Sequence, residues 1–404
     1  MGALAAFAGY GIELEYAIVD CETLDVAPIA ATLLDAVPAR TVDGGVSVGW
    51  SNELVAHVAE LKNVDPVRDL ADLPRVFDTQ VHAAGDVLSV HGARLMPSGM
   101  HPWMDPARES LLWTHSDAGI YRAYDRIFDC SRHGWANVQS MHINLPFADD
   151  AQFARLHAAV RLVLPLVPAL AASSPFVDGR AASERDHRLA EYATHVARVP
   201  ELVGAIVPEP SDSRQAYERD VLARMYDAIA PHDPEGILRH EWLNSQGAIA
   251  RFDRNAIEIR LADTQECPRA DIAVAHAVCA VVKMLYDEEL SNAGDQRRVP
   301  TAMLAAQLRR AIRDGEDATA DEPFLRAIGL RDAGPCTLRD AWRRLLDRVQ
   351  GDTRSWSGVI ETILGRGTLA TRILREAGAD PSRARLRDVY GELARCLDRE
   401  ELFS

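Results

Sequence analysis

No C-x-x-C pair occurs among the six cysteines, Cys21, Cys130, Cys267, Cys279, Cys336 and Cys396, which excludes a thiolate zinc site and a dense disulfide framework. A reducing cytoplasm fits that usage. Positive charge is also short: 44 Lys and Arg face 60 Asp and Glu, a formal net charge of -16. That balance excludes a broad basic surface for nucleic acid or anionic lipid and leaves room only for a local phosphate pocket. No apolar run reaches bilayer length. The longest, Val160 to Ala172 and Ile272 to Val282, are too short, and the first contains Arg161, Pro165 and Pro168. The first residues lack a basic segment leading into an apolar core and cleavage site. Together these absences predict a soluble, cytoplasmic protein without internal repeats or low-complexity segments. What is present, 404 residues with 48% hydrophobic and 26% charged, is ordinary globular usage with ample core.

Short β-like and helical stretches alternate up to about residue 150. Gly9 to Asp20 reads as a strand with Ile12, Leu14, Tyr16 and Ile18 on one face and Gly11, Glu13, Glu15 and Ala17 on the other. Val46 to Trp50, Ala93 to Met96 and Met141 to Phe147 also look extended. Pro66 to Val90 contains a helix-like segment, and the pattern is helical from Ala151 to Ala172. Val207 to Ser213, with two prolines, reads as an exposed connection. Gly247 to Arg251 and Ala256 to Leu261 form a hairpin around Asp253-Arg-Asn255, and Asp271 is placed to cap the helix that follows. Beyond residue 290 only helical patterns remain, at Ala302 to Arg313, Thr337 to Val349, Ser355 to Leu364 and Arg383 to Leu397.

Two glutamates on one strand face stand about 7 Å apart and repel unless water or a cation lies between them. A solvated face is the default reading of one such pair. Glu53 and Glu60 share a face only if their segment is helical, or if a strand there bends or bulges. His142 stands in a strand between apolar Met141 and Ile143, and Glu258 and Arg260 share a strand face opposite Ile257, Ile259 and Leu261. In sum, five glutamates and a histidine fall on sheet-like elements with too few local bases to neutralise them. Mg²⁺ and Mn²⁺ prefer such oxygen donors, Mn²⁺ accepts an imidazole too, and ATP phosphates need such ions.

These residues resemble the bacterial carboxylate-amine ligases related to glutamate-cysteine ligase, its second type. Gly11-Ile-Glu-Leu-Glu15 matches the opening Gly-x-Glu-x-Glu, Glu53 to Glu60 the Glu-(x)6-Glu segment, and Gly99-Met-His-Pro102 a Gly-Thr-His-Pro turn. Gln139 to His142 stands for a Gln-x-His strand with one extra residue, and Ser174 to Arg185 fits a Ser-Pro-(x)3-Gly-(x)3-Ser-x-Arg loop. Glu258-Ile-Arg-Leu-Ala-Asp263, preceded by Arg251, and the late glycine-bearing segment Gly365 to Arg372 complete the series. Met100, and Met141-His-Ile-Asn144 in place of Val-His-Val-Gly, depart from the pattern where substrate identity is at stake.

The resemblance implies an α+β, glutamine synthetase-like fold, with a curved antiparallel sheet forming a funnel. It implies a catalytic core over residues 1–290 and a helical extension over 291–404. It also implies that Glu15, Glu53 and Glu60 hold one divalent ion (Mg²⁺ or Mn²⁺) and that Glu13, His142 and Glu258 hold another. Arg260 and Arg185 would then contact the phosphoryl group or the substrate carboxylate, with Arg251, Ser174 and Ser183 on the nucleotide side. The implied reaction is ATP-dependent amide formation through an acyl phosphate. L-Glutamate and L-cysteine, giving gamma-glutamylcysteine, ADP and phosphate, are its default small-molecule substrates, and a homodimer is compatible with it. The alternatives are another amino acid and amine pair, a guanidino-kinase-like phosphotransferase, and a catalytically silent binding homologue.

Overall fold

The computed structural model describes residues 3–41, 45–332, 334–351 and 353–404. Its architecture follows from the alternation in β1 (Gly11–Asp20), where Ile12, Leu14, Tyr16 and Ile18 are wholly buried on one face. The other strands of the main sheet are β2 (Arg40–Thr41), β3 (Ser47–Asn52), β4 (Val58–Asn63), β5 (Ala93–Met96) and β6 (Ser140–Pro146). A separate two-stranded hairpin, β7 (Phe176–Val177) and β8 (Arg180–Ala181), precedes the last two, β9 (Ala248–Arg251) and β10 (Ala256–Asp263). The eight strands run in the order β2-β3-β4-β1-β6-β10-β9, and β5 pairs with β1 where β6 leaves off. Every pairing is antiparallel. Between Ile259 and Ala262 the β10–β6 register slips by a bulge, which bends the strand that carries Arg260.

Helices Leu73–Ser89 and Pro268–Tyr286 cover the outer face. Phe77, Val81, Leu88, Ile272, Val274 and Val278 join Ile12, Leu14 and Tyr16 in the main core. The inner face is divided. A second apolar cluster, with Leu386, Tyr390 and Leu393 of helix Arg383–Arg399, seals it over Ala17, Val19 and Met96. Only the half that carries Glu13 and Glu15 stays open. Both clusters draw side chains from either side of residue 290.

Several expectations need correction. A short ladder, Thr319–Ala320 with Cys336–Thr337, lies in the stretch read as helical throughout; two residues per strand are too few for an alternating pattern. Asp271 does not cap its helix: Cys267 holds the cap position, and Asp271 accepts the Gln265 N–H at 2.8 Å from inside the first turn. Val207 and Pro208 are buried, with the Pro208 carbonyl accepting from Arg161 Nε at 2.7 Å. Of the two geometries left open for the Glu53–Glu60 segment the extended one is present: Glu53 follows β3 and Glu60 lies within β4.

Among the described residues no helix is long and apolar enough to cross a membrane. The six cysteines are free thiols.

Candidate active site

The open half of the inner face is the floor of a cleft of about 520 Å³ lined by Glu13, Glu15, Glu53, Glu60, His142 and Glu258, together with Arg251 and Arg260. Register explains the convergence. Glu13 stands opposite Lys62 on one side and His142 on the other, and Glu15 stands opposite Glu60. Asn144 lies between Gly11 and Glu258. Residues so paired share one face, so Glu13 and Glu258, more than two hundred positions apart in sequence, meet across β1, β6 and β10.

His142 is the hub. Its Nδ1 lies 3.0 Å from Glu13 Oε2 and 3.8 Å from Glu258 Oε1, and its Nε2 lies 3.0 Å from Ser140 Oγ and 3.6 Å from Glu15 Oε1. The Ser140 N–H holds the other Glu15 oxygen at 2.7 Å. Lys62 Nζ and the Ser51 hydroxyl both donate to Glu60 Oε1, at 2.6 and 2.7 Å. Glu258 accepts from Arg260 Nε at 2.6 Å and from the Arg251 guanidinium at 3.3 Å.

Burial and neighbouring charge sort these groups. Burial raises the Glu13 carboxyl, but the His142 hydrogen bond and charge, with Lys62 and Arg254, bring it well below the usual carboxylate range. Burial and the fields of Glu15 and Glu60 push Glu53 up, and burial with the Glu13 charge pushes Glu60 up despite Lys62. Burial opposes protonation of His142, yet Glu13, Glu15 and Glu258 raise its pKa above the ordinary imidazole value.

Among the described residues two groups have ligand atoms all within 4.8 Å of one another, Glu13–His142–Glu258 and Glu15–Glu60–His142. Carboxylates with one imidazole suit Mg²⁺ or Mn²⁺. The buried Asn144 Oδ1, on the side chain that donates to Glu13 Oε1 at 3.2 Å, has no hydrogen-bond partner among the described residues. An acceptor left over beside the acids fits a cation there. Glu53 lines the same cleft but belongs to neither group; His142 stands beside Glu15 and Glu60 instead.

Three expected residues are placed elsewhere. Ser174 is wholly buried and its hydroxyl donates to Asp263 at 2.7 Å, Ser183 is exposed with its hydroxyl on Glu184, and Arg185 does not line the cleft. The Arg185 N–H instead donates to the Arg313 carbonyl at 3.1 Å, and its side chain stands against Gly315. Arg188, three residues on and inside the short helix His187–Tyr192, is the loop's arginine at the cleft. It pairs with buried Asp263 and donates to the Arg260 carbonyl at 3.3 Å. Asp263 also accepts the Ser173 N–H at 2.8 Å, and a β-carbon on Gly99 would come within 2.3 Å of its carboxylate. The Gly-x-His-Pro turn is therefore a packing device that brings backbone against Asp263. Tyr124, Trp135, Tyr192 and Trp242 form an aromatic wall that no motif announced.

The model for glutamate-cysteine ligase family 2 (GCS2) matches residues 10–392. The chain belongs to that family. Like other GCS2 members it is a carboxylate-amine ligase by class. It is 31% identical over 398 residues to an uncharacterized protein of Archaeoglobus fulgidus, covering 97% of this chain and 99% of that one. It is 26% identical over 386 residues to a Bradyrhizobium diazoefficiens protein provisionally named glutamate-cysteine ligase 2, covering 93% and 82%. The fold is shared with the glutamate-cysteine ligase of Francisella tularensis, solved in complex with AMP (TM-score 0.61, 12% identity, 96% of this chain and 88% of that one). It is shared too with a bifunctional glutathione synthetase of Pasteurella multocida (TM-score 0.60, 14% identity, 98% and 53%). The antiparallel sheet over an open cleft is thus part of a fold shared with these two solved proteins.

Proposed function

We propose that this GCS2 chain forms an amide from a carboxylic acid and an amine at the expense of ATP, through an acyl phosphate, with glutamate and cysteine as the first pair to test. The observation that carries this reading is the convergence on His142 of two carboxylate groups, with the Arg260 guanidinium 2.6 Å from Glu258 beside them. The substrate carboxylate oxygen attacks the γ-phosphorus and the bond to ADP breaks. The amine nitrogen then attacks the acyl carbon, sheds a proton, and phosphate leaves.

Glu13, His142 and Glu258, and Glu15 and Glu60 with the same histidine, would hold Mg²⁺ or Mn²⁺. Bound there, such ions neutralise phosphate oxygens and screen the approach of one anion to another. The chain's own part is placement. Ser140 fixes one Glu15 oxygen through its N–H, and Ser51 with Lys62 fixes one Glu60 oxygen, so that each carboxylate keeps a second oxygen for a ligand. Arg260 supplies guanidinium donors not used on Glu258 to the phosphoryl group or the substrate carboxylate. Arg188, anchored on Asp263, holds the Arg260 backbone in position.

The test is phosphate release from Mg²⁺-ATP across pairs of amino acids. Release that needs both an acid and an amine, with hydroxylamine trapping a hydroxamate when the amine is left out, supports the reading. A stable phosphorylated product without free phosphate would make the chain a phosphotransferase, and no ATP binding by calorimetry would end the enzymatic reading.

A further inference from the structure

Of the 44 basic Lys and Arg residues only two are lysine, Lys62 and Lys283. Arginine fills nearly every cationic role in this chain, including the other cleft cations Arg188, Arg251, Arg254 and Arg260. One of the two lysines nevertheless projects from the middle of the sheet into the acidic bed. On β4 it shares the inner face with Glu60 and stands opposite Glu13, while Glu60 stands opposite Glu15. Its Nζ lies 2.6 Å from Glu60 Oε1. The acids whose fields reach it are Glu60, Glu13 and Glu53.

An ammonium is a compact charge that accepts carboxylates from several directions, as a metal ion does, whereas a guanidinium is a flat fork. Glu53 is the cleft glutamate that joins neither candidate ligand group. On the β4 side of the bed, beside Glu60 and opposite Glu13, with Glu53 near enough for its field to be felt, the positive charge present is covalently attached.

We propose that the Lys62 ammonium is a resident cation that takes the place of one divalent ion among Glu13, Glu53 and Glu60, and so limits how many such ions the bed accepts. The inference rests on the ligase reading only in assuming that the bed holds divalent ions. Lys62 is a positioning and charge-setting residue, not a catalytic one.

The experiment is a Mn²⁺ titration of the full chain without nucleotide, reading free Mn²⁺ by electron paramagnetic resonance, for the wild type, Lys62→Met and Lys62→Arg. Lys62→Met is expected to bind one more Mn²⁺ per chain, or to bind its weakest Mn²⁺ at least tenfold more tightly, while Lys62→Arg keeps the wild-type number. Wild type and Lys62→Met binding the same number with affinities within twofold would overturn the inference and leave the ligase reading intact. No Mn²⁺ binding by any form would instead remove the metal reading on which both stand. If Lys62→Met does not fold, the unmutated chain decides. With [13Cε]-lysine it gives two signals, and Mn²⁺ should broaden that of Lys62 while Lys283 serves as internal control. An unbroadened Lys62 signal at saturating Mn²⁺ would overturn the inference.

Discussion

Replacing Glu13 and Glu60 by glutamine, one at a time, separates two acids that share the inner face of the sheet and have opposite electrostatic histories. The Glu13 carboxylate is held low by His142 at 3.0 Å, so its ionised form stabilises the fold above the ordinary carboxylate pKa, and that stabilisation is lost as the pH falls. Glu60 is pushed up by burial and by Glu13, so its ionised form costs stability at neutral pH. A glutamine at 60 keeps an oxygen for Lys62 and Ser51, which both use Oε1, and turns an amide donor toward the other acids. In metal-free buffer at pH 7, Glu13→Gln should therefore lose a charge-assisted hydrogen bond of about 1.5–3 kcal/mol. Glu60→Gln should melt at or above the wild type. With an unfolding entropy of about 2.1 cal/mol/K per residue, the 404-residue chain loses about 0.85 kcal/mol of stability per degree near its midpoint, so the Glu13 effect is about 2–4 °C. Mn²⁺ at a hundred times its dissociation constant adds about 2.7 kcal/mol, or about 3 °C, to the wild type. That shift should be absent or strongly reduced in both variants. The assay is thermal melting with EDTA or Mn²⁺. Shifts of the same sign for both variants in EDTA would refute the electrostatic assignment, and a full Mn²⁺ shift in either would refute the ligand assignment.

Acid should act first on buried histidines. Burial and Arg161 lower the His157 pKa to about 3, and neither of its ring nitrogens has a partner among the described residues. Its neutral form thus stabilises the fold above pH about 6.5, and between pH 7 and 5 the chain loses about 2 kcal/mol that His157→Leu should retain in urea unfolding at the two pH values. Arg372 is buried 2.6 Å from Glu266 and donates to the Phe403 carbonyl, so Arg372→Met should cost about 3–5 kcal/mol, measured as a fall in the denaturation midpoint. Adding Glu266→Gln should recover part of that loss. Gly99→Ala sets a β-carbon against Asp263 and should cost about 1–3 kcal/mol. It should also lower kcat through Arg188 and Arg260, and wild-type activity and stability would show that the turn yields freely.

The open face of the sheet was legible because its period is two: Ile12, Leu14, Tyr16 and Ile18 announced the buried side, and the acids therefore the other. The hairpin around Asp253 was legible from turn chemistry, and the late helices from their apolar spacing. Arg185 and Arg188 were not separable in sequence. Both follow the glycine loop, and only the helix that starts at His187 turns Arg188 onto Asp263. Ser174 carried a motif signal that was structural, since a hydroxyl buried on Asp263 is as constrained as one on a ligand. The aromatic wall had no local pattern, because Tyr124, Trp135, Tyr192 and Trp242 arrive from four separate helices and turns.

Why the cleft opens over Glu13 and Glu15, and not further along β1, is decided far away in sequence. The same face carries Ala17 and Val19, small enough for helix Arg383–Arg399 to settle on them with Leu386 and Tyr390. A glutamate at 17 would sit beneath that helix without water, at a cost the apolar cluster could not offset. Conversely, a valine at 13 would leave His142 facing Glu258 and Glu15 with one acid fewer to balance it. The change from acid to apolar between positions 15 and 17 is therefore one boundary read twice. It is the edge of the cleft and the edge of the second core, so neither can move along the strand without the other.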